Sequence, residues 1–256
     1  MDELQLRVGR TLTLCNWIDT DNTSEDSVNI SDKKAWFPHV LRPVACTETQ
    51  NSGGVLSYKL RFERRLDKKQ YFDGNIKFIT TDSGYVRVVY QIKPINTKGI
   101  FLETGISFQL PATITEFRFA GNGPYPSYPG KSALSEFGIY HLTKNDLNFE
   151  GNYANVKLAA FTNKQGEGLL VEPLNGSIAV ERTENGILLS HNAAVSGRYS
   201  KKSSPNVSIK ADNGNMIEGS FKIYSLGSIW NAELIRIFGL PQSEKIPFVP
   251  FYHSYN

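Results

Sequence analysis

The sequence predicts an all-β protein built from antiparallel sheets packed face to face. Apolar and polar residues alternate with a period of two over short stretches, most clearly in GYVRVVYQI at 84–92. The composition favours strands, with 15 Phe and 12 Tyr against 2 Met, and 21 Gly and 12 Pro to punctuate them. Helical periodicity is scarce.

Residues 1–56 read as irregular. Asp19 to Asp32, DTDNTSEDSVNISD, is a long polar loop, and Trp36 and Phe37 follow it as residues able to tuck against the body. Strand signal begins at Val55. YKLRF at 58–62 alternates, Asp73-Gly74-Asn75 reads as a turn, and IKFIT follows. In the strand at 84–92, Tyr85, Arg87, Val89 and Gln91 share one side. Val86, Val88, Tyr90 and Ile92 share the other, and Pro94 ends the strand. Further strands are expected at 103–110, 114–120, 156–162, 168–174, 177–182, 186–190, 206–211 and 219–226. Ten or so strands with Gly and Asn at the breaks predict a sandwich. One short helix is expected at AELIRIF, where Asn231 would cap it and Gly239-Leu240-Pro241 would stop it. The aromatic tail PFVPFYHSYN either lies across the body or joins a neighbouring interface. The expected organisation is an N-terminal extension and loop over 1–50, a large sandwich over 51–230, and a helix with an aromatic tail over 231–256. There is no internal repeat.

Charge and motifs exclude several classes. The 28 Lys+Arg and 25 Asp+Glu are scattered, and the densest basic runs are only Arg64-Arg65, Lys68-Lys69 and Lys201-Lys202. That is an ordinary solvated surface, and no nucleic-acid partner is expected. No apolar run approaches the roughly 20 residues of a spanning helix, so no membrane partner is expected either. The start, MDELQLRVGR, lacks the apolar core of a signal peptide. Localisation stays open, periplasmic or extracellular if the source degrades polysaccharides. A disulfide between Cys15 and Cys46 is not forced, and without a CxxC spacing no zinc is expected. Phosphate-binding glycine motifs are absent, and no cofactor is expected. Glycosylation sequons at Asn22, Asn29, Asn175 and Asn206 carry little weight in a chain this rich in Asn and Ser.

The most distinctive segment is RFAGNGPYPSYPGKSALSEFGIY, residues 118–140. Gly121, Gly123 and Pro124 read as a tight turn at a strand end, where binding loops sit. Tyr125 and Tyr128 lie on either side of Pro126, and Pro129-Gly130 reads as a second turn. Asn122, Ser127 and Lys131 supply polar groups beside the rings. A sugar has apolar C–H faces for tyrosine rings and hydroxyls for Asn and Lys. Equally, the tyrosines can simply cover a sheet edge, and the residues alone leave both readings open.

This segment resembles the C-terminal domain of family 2 β-galactosidases, which follows the catalytic barrel. The family motif is close to G-x-GP-x-E-x-YPD-R. Gly121, Gly123, Pro124, Tyr128, Pro129 and Lys131 match it. The family's Glu falls at Pro126 or Ser127, and its Asp at Gly130. Polysaccharide-utilising relatives read close to GNGPYxxYPGK, which residues 121–131 match almost completely. Downstream, FEGNYANVKLAAFTNKQGEGLLV at 149–171 is similar to a second family segment. There Gly151 and Asn152 match a G-N pair, Glu150 is a loose counterpart of a Glu, Tyr153 replaces an Arg, and Gly166-Glu167-Gly168-Leu169 fits a strand start. Upstream, LCNWIDTDNTSED is similar to F-W-R-A-P-T-D-N-D through Trp17, Thr20, Asp21 and Asn22, but lacks its Arg and last Asp. The three pieces, in order, cover roughly residues 14–230.

The resemblance implies a large antiparallel two-sheet supersandwich, galactose mutarotase-like in shape, packed against a catalytic barrel. It implies a non-catalytic domain that supports the barrel and binds oligosaccharide or polysaccharide. Its partners would be carbohydrate and the catalytic domain of a glycoside hydrolase. Retaining hydrolysis needs two carboxylates about 5–5.5 Å apart, and in the family these sit in a separate (β/α)₈ domain whose pattern this chain lacks. The candidate carbohydrate-binding residues are Asn122, Tyr125, Tyr128, Lys131, Glu150 and Asn152, with Asp21 and Asn22 as weaker candidates. Tyr153 and Gly130 remove charged groups from the family pattern, so ordinary galactose contacts are not expected to carry over unchanged. Two alternatives stand beside this reading. One is a free-standing carbohydrate-binding module. The other is an aldose 1-epimerase-like enzyme, with His141 as acid and Glu150 as base meeting on one sugar ring. The other histidines, His39, His191 and His253, carry no such signal.

Overall fold

The computed structural model describes residues 4–7, 17–18, 40–63, 69, 71–97, 100–101, 103–130, 132–133, 135–147, 151–196, 209–210, 215–226 and 249–250. Among them all regular structure is strand, arranged in three sheets and numbered here along the chain. The large sheet has ten strands. Their order is β19 (Val249–Pro250), β11 (Ser135–Thr143), β10 (Glu116–Pro124), β13 (Leu158–Thr162), β14 (Gly168–Pro173), β18 (Ile217–Leu226), β7 (Tyr85–Ile95), β6 (Tyr71–Thr80), β5 (Val55–Glu63) and β4 (Pro43–Ser52). A second sheet has six strands, β12 (Asn152–Tyr153), β15 (Ser177–Thr183), β16 (Gly186–Val195), β9 (Glu103–Gln109), β1 (Leu4–Arg7) and β3 (Val40–Leu41). A three-stranded patch joins β17 (Ile209–Lys210), β8 (Ile100–Phe101) and β2 (Trp17–Ile18). Among the described residues only β11 and β19 pair in parallel; the other ladders are antiparallel. The chain is therefore an all-β, two-sheet supersandwich.

The alternation in β7 sets the inner face as expected. Val88, Tyr90 and Ile92 are buried, whereas Arg87 and Gln91 are exposed. Phe62, Phe72, Ile76, Phe117, Phe161 and Phe221 of the large sheet share one core with Leu4, Leu6, Ile106, Ile178, Val180 and Leu189 of the smaller one. Each such fully buried side chain contributes about 1.5–3 kcal/mol of transfer free energy.

The segment before Val55 is not irregular throughout. Leu4–Arg7 pairs with β9 and is buried on both faces, and Pro43–Ser52 forms an edge strand on β5. A four-residue strand buried on both sides has no alternation to read. Asp73-Gly74-Asn75 is not a turn but the middle of β6. Its glycine is there for close approach, since a Cβ at Gly74 would lie 2.7 Å from the Gln91 carbonyl oxygen. Its aspartate takes the Arg61 guanidinium through both oxygens, at 2.8 and 2.9 Å. β7 also runs through Pro94 to Ile95. β18 stops pairing at Ile92, so beyond it the strand has one ladder and a missing N–H is tolerated. β11, absent from the strands read in the sequence, pairs along the whole of β10. The helix expected at AELIRIF and Cys15 lie outside the described residues; Cys46 is exposed on β4.

Candidate functional site

Gly121, Gly123 and Pro124 do not form a tight turn. They continue β10, paired with Gly138, Glu136 and Ser135 of β11. The glycines serve packing. A Cβ at Gly121 would lie 2.9 Å from the Val156 Cα, and one at Gly123 would lie 2.6 Å from the Tyr140 ring. Beneath them the rings of Phe117, Phe119, Tyr140 and Tyr153 are packed with centroids 4.7–5.5 Å apart. Such contacts contribute about 0.5–1.5 kcal/mol per pair beyond burial. Burial raises the pKa of the Tyr153 and Tyr140 phenols. The second expected turn is present, with Gly130 at φ 77°.

The GNGP and G-N segments are zipped together. The Asn122 N–H donates to the Ala154 carbonyl at 3.0 Å, and the Ser127 N–H to the Asn152 carbonyl at 2.7 Å. The Ser127 hydroxyl accepts from the Ala154 N–H at 2.9 Å. The Tyr128 hydroxyl accepts from the Asn152 N–H at 3.3 Å. Asn152 itself is buried. Its amide donates to the Ser127 carbonyl at 2.9 Å, and its oxygen accepts from Ser177 at 2.7 Å and Asn192 at 2.9 Å. Asn152 therefore ties the loop to the smaller sheet with both ends of its amide.

That tie continues inward. Asn192 donates to Glu103 at 2.8 Å, and Glu103 accepts from Arg7 at 2.7 Å. Glu181 lies 3.7 Å from the same guanidinium, and all four side chains are buried. The sequence reading missed this network, because Arg7 sits in a segment without alternation and its partners are distant in the chain. His191 is buried beside it. A carbonyl only accepts, so the 2.8 Å contact between Nε2 and the Asn175 carbonyl puts the ring proton on Nε2. Nδ1 then accepts from the Tyr90 hydroxyl at 2.8 Å. Burial lowers the His191 pKa to about 4, and the hydrogen bond to Asn175 opposes it weakly.

What is left facing outward is small and aromatic. Tyr125 is 48% exposed and Phe137 57% exposed. Phe137 stands opposite Asn122 in the β10–β11 register, and Pro124, just before Tyr125, stands opposite Ser135. The Ser135 hydroxyl donates to the Tyr125 carbonyl at 3.0 Å and fixes the loop on the strand edge. Asn122 is half-buried, and Tyr128 is half-buried with its hydroxyl turned inward. Phe137 was not singled out in the sequence; its exposure depends on β11 being a strand. Lys131, Glu150, Asp21 and Asn22 lie outside the described residues. His141 meets Glu116 at 2.5 Å, with Arg118 at 3.6 Å on the same carboxylate oxygen. No group of three or more metal-ligating His, Cys, Asp or Glu occurs among the described residues. No helix there is long and apolar enough to cross a membrane.

Comparison with known proteins adds a family. Residues 10–208 match the family model of the β-galactosidase small chain. No protein of curated function matches the chain in sequence. Among solved structures, a GalM/aldose epimerase homologue from C. elegans aligns with a TM-score of 0.45 at 9% identity, covering 70% of this chain and 68% of its own. An Escherichia coli K12 protein with the provisional name aldose 1-epimerase aligns with a TM-score of 0.45 at 11% identity, covering 86% and 81%.

Proposed function

Because the chain belongs to the β-galactosidase small-chain family, we propose that it is a non-catalytic domain of a glycoside hydrolase. In this reading it braces a catalytic barrel and contributes carbohydrate contacts of its own. The observation that carries the reading is the division of residues 121–128. Ser127 and the Tyr128 hydroxyl are bonded inward, while Tyr125 and Phe137 stay exposed, Phe137 standing opposite Asn122. Exposed rings beside an amide suit the C–H face and hydroxyl rim of a sugar. Lys131 and Glu150 complete the proposed contact set, and Asn152 holds the loop in place.

An acid–base enzyme is the second reading, and the contact between His141 and Glu116 is what favours it. That carboxylate is largely buried and also lies 3.6 Å from Arg118, so it is engaged within the sheet rather than open to a substrate. Hydrolysis of nitrophenyl galactosides and NMR-monitored anomerisation of galactose separate the two readings. The non-catalytic domain gives background rates in both assays. Turnover that disappears in His141→Ala and Glu116→Gln would overturn it.

A further inference from the structure

A second surface lies away from the aromatic edge, on the outer face of the β4–β7 meander. There a groove of about 540 Å³ is lined by Thr47, Lys59, Arg61, Asp73, Asn75, Gln91 and Lys93, among others. That volume falls within the range of ordinary small-ligand sites, about 300–1,000 Å³. The register arranges its polar groups in two rows. Lys59, Asn75 and Gln91 face one another across β5, β6 and β7, and Arg61, Asp73 and Lys93 form the next row. Strand spacing of about 4.8 Å and a rise of about 3.4 Å per residue put Lys59 and Lys93 about 12 Å apart at the backbone.

The charge is unbalanced in a specific way. Three cations face one acid among the lining residues, and that acid is already occupied, because both Asp73 oxygens accept from Arg61. Glu218 lies beyond the groove, where it accepts from Gln91 at 3.0 Å. Lys59 and Lys93 are exposed and have no ion-pair partner among the described residues. The Arg61 guanidinium is also stacked on the Tyr71 ring at 4.4 Å. It is therefore a fixed plane, and two of its N–H groups are used by Asp73. The remaining N–H groups and the two ammonium groups suit carboxylates, while Thr47, Asn75 and Gln91 suit hydroxyls.

We propose that this groove binds an anionic oligosaccharide, with Lys59 and Lys93 reading carboxylates and the amides reading hydroxyls. A saccharide is favoured over nucleic acid because amides and a hydroxyl interleave with only three cations, and the chain as a whole carries just +3. The choice of a sugar rests on the family reading, whereas the groove's geometry does not.

The test is calorimetric titration of the full chain with tri-galacturonate and, separately, with neutral galactotriose. The double variant K59Q/K93Q and the variant Y125A are titrated alongside, and melts check that each is folded. Tri-galacturonate is expected to bind more weakly as salt rises. Its affinity should fall at least about tenfold in K59Q/K93Q, and not in Y125A. No binding to the wild-type chain, or equal binding to K59Q/K93Q, would overturn the groove. Tighter competition from a short DNA duplex would overturn its assignment to a saccharide. Loss of galactotriose binding in Y125A tests the aromatic edge instead, so the two readings fail separately.

Discussion

The inner and outer halves of the GNGP segment use neighbouring residues for opposite ends. Gly121, Gly123, Ser127 and Asn152 face inward and hold β10, β11 and the smaller sheet together. Asn122, Tyr125 and Phe137 face outward, and the described core makes little use of their side chains. A recognisable motif is thus not a list of ligand contacts. Its inner members fix the shape that leaves its outer members exposed. Inner substitutions should change stability, and outer ones should change binding alone.

The largest effect is expected at Gly123. Gly123→Ala drives a methyl into the Tyr140 and Phe119 rings, and overpacking of this kind costs about 3 kcal/mol. Urea denaturation should show the midpoint fall while the slope stays constant. An unchanged midpoint would mean that the rings move freely and the inner half is not rigid.

Acid should weaken the same interior through His191. Its folded pKa of about 4 lies below the ordinary 6.5. The unfolded chain therefore takes up a proton that the folded chain refuses, and stability falls as pH drops from 6.5 towards 4. The contribution present above pH 6.5 is about 3 kcal/mol by linkage. His191→Gln should flatten this slope in denaturation curves recorded across that range. A slope that persists would place the acid sensitivity in other groups.

Asn152→Ala should cost about 2 kcal/mol, since it leaves the Ser177 hydroxyl and the Ser127 carbonyl without their partner. Measured beside Asn122→Ala, it sharpens the contrast: the outer amide should change stability by no more than about 0.5 kcal/mol.

Much of the fold was legible because β7 obeys a strict two-residue alternation, which needs no knowledge of its neighbours. The motif's glycines were harder to read. Glycine in a sequence suggests a turn, and Gly130 does supply one. Gly74, Gly121 and Gly123 instead make room for Gln91, Val156 and Tyr140, partners that only the folded chain brings close. Leu4–Arg7 was illegible for a related reason, since its four residues are all buried and show no period. For the candidate site, the segment was singled out in the sequence, but the facing of its residues was not legible there. Asn152 turns inward because Ser177 and Asn192 surround it, and Phe137 turns outward because its strand partner is Asn122.

The most direct measurement is titration of the chain with neutral galactotriose, comparing wild type with Y125A and F137A while thermal melts are recorded on the same samples. The account predicts saturable binding to wild type, loss in both variants, and melting temperatures that do not move. Binding that survives both substitutions, or variants that lose binding only because they unfold, would contradict the separation of an inner structural half from an outer recognition half.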